Sequence, residues 1–518
     1  LPIKMNSYQK LVSIKNISAL DTDQAVSHIG LMADAAFEAR KEKGLRQALL
    51  LADQLAERSL TDAQKTIFFY HISNVWGNLH KLSIRNDTDL WRWDDEAVEK
   101  QMIWLRRSLN VYQAMAASDR VRINPCPVYA NLAATMSHVG RFVEALAYWD
   151  RALSENPGFA LARGNRGYVR MHYAHSLYDE SQALIFLRKA MEDLDQALKQ
   201  DLDSAARALF SEYLSDLLSV FDRHPAAFPD LETGSPESAQ PEADYRSWCL
   251  QNRLFINPLN DLAPGRAGAS DSLSLPSMVV KQGDAPDYHG FFNLLKQEFV
   301  SARWLYYEGV ACDRTHFSDR NVLLYDTLDH PVYGLAAEKV KIAFRVAYAL
   351  FDKIAFFLKN YLSLDVPDKK INARTLWHEP TGSVKTLRPQ LADLQNWPLR
   401  GLYWLCKDLY EAKPGFEEAL EPEARKLHGI RNYMEHRYFK LQKDSTPNAR
   451  PAKGQLVFSV SITDFQAKTL QILKMVRAAL IYLSLSVHRE ETRRAEKRQD
   501  KVDLPVWELH PIADSSEK

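Results

Sequence analysis

The sequence predicts an all-α protein, and three observations support this class. Apolar residues recur at helical spacing through most of the 518 residues, convincing strand-like alternation is nearly absent, and Pro125 to Pro157 forms one unit of two antiparallel helices. In that unit Gly140 supplies the turn and Pro157 ends the second helix. The apolar fraction of 46% and charged fraction of 25% are those of a soluble globular protein.

Small and large apolar residues alternate through this unit in a fixed order. They are Leu132, Ala133, Met136, Gly140, Phe142, Ala145, Trp149, Ala152 and Pro157. The order resembles a tetratricopeptide repeat, a helical hairpin with a period of about 34 residues. Less regular hairpins are predicted over 21–58, 64–115 and 160–198, interrupted by a polar excursion at 84–95 and an insertion at 175–180. We therefore expect three to five repeat-like units over 1–224; a generic array of helical hairpins is the alternative.

A change of composition then marks a domain boundary. Residues 225–244 are rich in Pro, Ser, Glu and Gly, which predicts a linker. A second domain is expected over 245–498, with a C-terminal tail over 499–518. Helices are predicted within this domain over 291–307, 334–362, 393–409, 422–441 and 463–497, and a strand over 457–461.

Composition excludes several classes of function. The 66 basic and 66 acidic residues cancel, so nucleic acid can be bound only through a local patch. The four cysteines have no zinc or redox spacing, and no Gly-rich phosphate loop occurs, so we expect neither a metal nor a cofactor. The start lacks an export signal, and charges interrupt the best membrane candidate, 349–364. These observations favour a cytoplasmic protein without a membrane span.

The string from Arg431 to His436 is the strongest candidate for a catalytic site. Arg431 offers a permanent charge and a fork of donors for a phosphate, Asn432 can hydrogen-bond the phosphate or the histidine, and His436 can transfer protons near neutrality. Between 431 and 453 six basic residues stand against two acidic ones. The basic residues predicted to bind RNA are Arg437, Lys440 and Lys443. Two similar pairs, Arg166/His172 and Arg170/His175, fall inside the repeat pattern and are interpreted as structural.

Ile430-Arg431-Asn432 followed by His436 is similar to the motif of the HEPN superfamily, named for a nucleotide-binding domain of higher eukaryotes and prokaryotes. The segments 245–249 and 302–308 resemble one of its subfamilies, in which helical repeats commonly precede the catalytic domain. The resemblance implies metal-independent RNA cleavage by a homodimer whose two motifs share a cleft. Many such proteins are toxins or anti-phage effectors.

Two alternatives remain open from the sequence. On a regular helix Arg431 and His436 lie about 140° apart, so either a partner surrounds much of the helix or the helix restarts near Gly429. The protein is either an endoribonuclease whose repeats sense a protein or peptide trigger, or a non-enzymatic dimeric scaffold that binds peptide or RNA.

Overall fold

The computed structural model describes residues 5–223, 231, 239–280, 283–312, 314–325, 327–379, 386–410, 424–444, 457–497, 509–510 and 512. For residues 5–7, 222–223, 410, 424–426, 428 and 436 the backbone alone is described. Helices dominate this part of the chain, as the sequence predicts.

The first half of the chain is a series of helices that pack against their neighbours in sequence. They are α1 (Met5–Ser13), α2 (Thr22–Glu38), α3 (Glu42–Ala56), α4 (Asp62–Ser83), α5 (Glu96–Ala114), α6 (Ala117–Arg120), α7 (Cys126–His138), α8 (Phe142–Glu155), α9 (Ala160–Ser176), α10 (Glu180–Leu198) and α11 (Ser204–Arg223). Capping boxes at Asp21 and Thr61 start α2 and α4, because each side chain accepts from the third helical backbone N–H. The four predicted hairpins are all present, and Gly140, with φ of +89°, makes the turn between α7 and α8.

The second half contains α12 (Glu242–Gln251), α13 (Asp287–Ala311), α14 (Leu335–Tyr361), α15 (Pro389–Ala392), α16 (Trp397–Tyr410), α17 (Ala424–His436) and α18 (Ile462–Lys497). The long helices α13 and α14 pack on α18, and α16 packs on both α17 and α18. In the part of the chain that the structure describes, α18 alone is long and apolar enough to cross a membrane. Because 83% of its apolar window is buried inside the fold, it has the surroundings of a core helix.

The strand predicted over 457–461 is present as β2 (Val457–Ser461), but its partner was not predicted. The stripe over 422–441 was interpreted as one helix, whereas α17 ends at His436 and residues Tyr438–Gln442 form β1. β1 pairs with β2 in parallel, Tyr438 opposite Val457. On the other edge of β1 the backbone N–H of Val332 donates to Leu441 at 2.8 Å, so a distant loop completes the pairing.

The helices α1 to α11, called the array below, share one hydrophobic core with the second half of the chain. The first hairpins, up to Val75, and residues of α9–α11 form two further apolar clusters. The main cluster runs from Trp93 in the array to Val487 in α18. Phe142 of α8 lies between Trp397 and Tyr482, with ring centroids 4.4 and 4.9 Å away. The predicted boundaries remain a prediction, but the regions on either side of 225–244 are joined by this core.

Charged residues are also buried where the array meets α16. Asp408 is fully buried and accepts hydrogen bonds from both terminal nitrogens of Arg106 on α5, at 3.1 and 3.0 Å. Arg141, at the start of α8, forms an ion pair with the same carboxylate. The neighbouring Lys407 contacts Asp94 at 2.7 Å and also pairs with Glu99. This cluster ties α16 to the array.

Candidate functional site

The predicted motif lies on α17, which is held by an apolar stripe. Leu427, Ile430 and Met434 are buried at helical spacing and face the core shared with α16. The helix is continuous from Ala424 to His436, so the restart near Gly429 that the sequence allowed does not occur. A side chain added at Gly429 would meet nothing within 4 Å, so close packing does not require this glycine.

Arg431 is half-buried beside the polar face of this helix. Its guanidinium lies 5.9 Å from the ring centre of Tyr348, a buried residue of α14, and its Nη1 is 3.4 Å from Oδ1 of Asn432. Within the described residues no carboxylate forms an ion pair with Arg431. A guanidinium that is held over a ring but not neutralised can bind an anion such as a phosphate.

His436 is the last residue of α17, and its side chain lies outside the described part of the structure. The backbone still fixes one relation. Each residue of a helix turns by about 100° around the axis. Because the helix is unbroken, the five steps from Arg431 to His436 make one full turn and about 140° more, so the two positions lie about 140° apart around the axis. The backbone positions of Arg431 and His436 on one copy of α17 therefore lie on different sides of the helix. This geometry leaves the other alternative from the sequence, in which a partner surrounds much of the helix.

A second arginine contacts the motif helix and was not found from the sequence. Arg345 of α14 donates from Nη2 to the backbone carbonyl of Met434 at 2.7 Å, and its Nε lies 3.6 Å from the Glu435 carboxylate. The positive charge is placed at the carboxyl end of α17, where the helix dipole favours cations. Arg345 is separated from the motif by more than eighty residues, so no local pattern in the sequence indicates this contact.

The three residues predicted to bind RNA have different surroundings. Arg437 is exposed and lies over the Tyr433 ring, 5.1 Å from its centre. Lys443 is also exposed, at the end of β1. Lys440 forms an ion pair with Asp329, and this contact lowers the pKa of the aspartate. Two further basic residues of the predicted patch, Arg450 and Lys453, lie outside the described residues.

Aromatic side chains surround this basic surface. Tyr433 stacks on Phe458 of β2, with ring centroids 4.8 Å apart. The hydroxyls of Tyr333 and Tyr438 are 3.3 Å apart, and 45% of Tyr333 is exposed. Exposed rings beside arginines are a common surface for single-stranded RNA, because bases stack on both.

The two other Arg/His pairs have the structural surroundings that the sequence indicated. Arg166 pairs with Asp193 at 2.6 Å and Asp150 at 2.7 Å, and Arg170 pairs with the same Asp193 at 2.6 Å. Burial lowers the pKa of His172, which keeps that ring neutral. These arginines are neutralised by carboxylates, whereas none of the carboxylates that the structure describes forms an ion pair with Arg431.

The residues that the structure describes contain no group of three or more His, Cys, Asp or Glu side chains able to hold a metal ion. Cys249 and Cys406 are buried. Burial raises the pKa of the Cys249 thiol to about 11, and the pKa of Cys406 is also raised by burial, so neither thiol is a ready nucleophile.

Comparison with known proteins gives one family match. Residues 279–490 match the family described as LA2681-like HEPN, and this span includes the motif helix α17, both strands and α18 up to Glu490. No curated protein and no solved structure matches the chain. The protein is therefore all-α, with a helical array followed by a helical region whose residues 279–490 are similar to LA2681-like HEPN domains.

Proposed function

We propose that this protein is a metal-independent endoribonuclease, acting as a toxin or anti-phage effector in the cytoplasm. The observation that carries the proposal is Arg431, a guanidinium without a carboxylate partner among the described residues, on the motif helix of a HEPN domain. The exposed Arg437, the residue after α17, adds a positive charge, although the whole chain is neutral.

The reaction we propose is cleavage by the RNA itself. The 2′-hydroxyl loses its proton to a base and its oxygen attacks the adjacent phosphorus, while the bond from phosphorus to the 5′-oxygen breaks and that oxygen takes up a proton. The products are a 2′,3′-cyclic phosphate and a 5′-hydroxyl. His436 would transfer the protons, Arg431 would bind the phosphate and offset the charge that develops on it, and Asn432 would hold either group.

Two features support a dimer as the active form. One histidine does not easily serve as base and acid on opposite sides of one phosphorus atom. The unbroken helix also separates Arg431 from His436 by about 140°, so a second α17 facing the first would supply the missing groups. In this proposal the dimer forms through the C-terminal domain, and the array senses a protein or peptide trigger.

The test compares wild type with Arg431→Ala and His436→Ala, using purified full-length proteins, labelled RNA and EDTA. Each substitution should lower the cleavage rate by about 100-fold or more, since each removes a group that acts in the transition state. Arg85→Ala and His510→Ala are matched controls, because both residues are exposed and neither belongs to the motif or to the predicted RNA-binding residues. They should cleave like wild type.

Mixing the two inactive variants tests the shared cleft. A mixed dimer would retain one Arg431 and one His436 on different copies, so the mixture should cleave faster than either variant alone. A second measurement is the growth of cells that express each protein, with and without phage. The infected cell can supply a trigger that is missing from the assay with purified protein. If wild type cuts no RNA in either setting and is as harmless as His436→Ala, the enzyme proposal is wrong and the dimeric scaffold is favoured.

A further inference from the structure

An exposed apolar segment lies in the loop between α13 and α14. Val322, Leu323, Leu324 and Tyr325 follow one another, and 55%, 81%, 54% and 82% of their surfaces are exposed. We call these four residues the apolar segment. Nearby Leu328 is 84% exposed. Single exposed apolar residues are ordinary, but a consecutive run of this size marks an interaction site in a soluble protein.

The loop holds this segment in place from both sides. Before it, a carboxylate oxygen of Asp319 accepts from the backbone N–H of Leu335 at 2.9 Å, at the start of α14. After it, Asp329 pairs with Lys440 of β1, and the backbone N–H of Lys443 donates to the carbonyl of His330 at 3.2 Å. Because β1 begins two residues after α17 ends, the apolar segment is attached to the strand that follows the motif.

The segment also has the properties of an unpaired strand. Its exposure alternates, with Leu323 and Tyr325 more open than Val322 and Leu324, as in an extended chain. Within the described part of the structure, no hydrogen bond involves the backbone of Val322–Tyr325. Such a row of N–H and C=O groups with apolar side chains pairs readily with another strand.

We propose that the apolar segment pairs antiparallel with the same segment of a second copy of this chain, across a two-fold axis. The sequence places Arg320 before the run and Asp326 directly after it. Antiparallel copies bring the basic end of each segment beside the acidic end of the other, whereas parallel copies would bring like charges together.

The exposed area is also sufficient for a dimer. Together with Phe317, 72% exposed, and Leu328, the segment presents roughly 700 Å² per chain, close to the share of each partner in a standard interface. RNA is a poorer occupant, because three of the four side chains are aliphatic and cannot stack on bases as aromatic rings do. The claim that this interface brings two motifs into one cleft rests on the proposed function. The interface itself is tested without RNA.

The experiment measures the dimer dissociation constant of the full-length protein by sedimentation, without RNA. Leu323→Asp should raise this constant by about 100-fold or more, because the two-fold axis buries two carboxylates instead of two leucines. Val121→Asp is the matched control: Val121 is 86% exposed in the array, so its substitution should leave the constant unchanged. Circular dichroism should show the same fold for both variants, since both side chains are exposed.

A cross-link provides a measurement that does not depend on a disruptive charge. In a Cys312→Ser background, which removes the one exposed cysteine of the described residues, Leu323→Cys should form an intermolecular disulfide in mild oxidant. Val121→Cys in the same background should not. We place the two-fold axis at Leu323, with Val322 of each copy opposite Leu324 of the other, so the two copies of residue 323 face each other on the same side of the paired strands.

Each outcome decides the proposal. A monomeric wild type at micromolar concentration, or a Leu323→Asp dimer as tight as the Val121→Asp dimer, would overturn it. A Leu323→Asp protein that stays dimeric but loses RNA binding would also overturn it and identify the segment as an RNA surface. If Leu323→Asp becomes monomeric while wild type cuts no RNA, the interface stands and the proposed ribonuclease fails.

Discussion

Replacing Asp408 by alanine should destabilise the protein more than any other single change at the contact between α16 and the array. The side chains of Asp408 and Arg141 are fully buried, and that of Arg106 is 4% exposed. The substitution removes two hydrogen bonds to Arg106 and the ion pair with Arg141, so two guanidinium groups lose a buried counter-charge. Removing one partner of a buried ion pair costs about 3–5 kcal/mol, and we expect a loss in this range.

The assay is denaturant unfolding of the full-length protein, followed by circular dichroism. Glu308→Ala is the matched control, because its carboxylate pairs with Lys339 at 2.8 Å but is 41% exposed. Exposed pairs contribute about 1 kcal/mol or less, so this variant should unfold nearly like wild type. Hydrogen exchange should locate the effect of Asp408→Ala in α5, α8 and α16. If the Asp408 variant loses less free energy of unfolding than the Glu308 variant, our account of this cluster is wrong.

The pH dependence gives a second measurement of the same carboxylate. Burial alone would raise the pKa of Asp408, but Arg106 and Arg141 outweigh burial and the pKa lies below its ordinary value. Since the folded pKa is lower than the unfolded pKa of about 3.9, this contribution is complete above the unfolded value and is lost as pH falls below it. The difference in stability between wild type and Asp408→Asn should therefore be largest at neutral pH and shrink below about pH 4.

Two further predictions concern packing and buried histidines. A methyl group in Gly401→Ala would overlap the carbonyl oxygen of Gly140, so the melting temperature should fall by an amount equivalent to about 2 kcal/mol or more. Gly290→Ala is the control, because a methyl group there meets nothing within 4 Å; this variant should unfold at or above the wild-type temperature. Burial lowers the pKa of His71 to about 4 and, together with the nearby Arg400, that of His138 to about 3. Below pH 6.5 the unfolded chain therefore binds more protons than the folded chain does. The free energy of unfolding from denaturant titrations should fall by up to about 2 kcal/mol per histidine between pH 7 and 5. A free energy of unfolding that is the same at both pH values would contradict this prediction.

Local patterns were enough to predict most helices, because a helix depends on residues three and four positions apart. The exception is the stripe that joins Met434 to Leu441. Leu441 fits the helical period, yet it lies in β1 because its backbone pairs with Val332 and with β2. Those partners are too distant in sequence for a periodicity to indicate them.

The surroundings of the candidate site were less predictable for a related reason. Arg345 reaches the motif helix only through the packing of α14, and Lys440 pairs with Asp329 across more than one hundred residues. Lys407 and Asp408 would be assigned to a solvated helix face from local sequence, but the array covers them. The roles of Arg431, Asn432 and His436 remain a prediction.

The buried charges constrain how a trigger at the array could act on the motif. If the array swung away from the second half as a rigid unit, Asp408, Lys407 and the large apolar side chains around Trp397 would be exposed together, at a cost of many kcal/mol. A small partner does not supply that much binding energy in one step. Because α16 contacts the array on one side and α17 on the other, a shift within α5 or α8 can reach Arg431 through α16 without separating the two halves. A signal from the array should therefore change hydrogen exchange in α16 and α17 while the shared core stays protected.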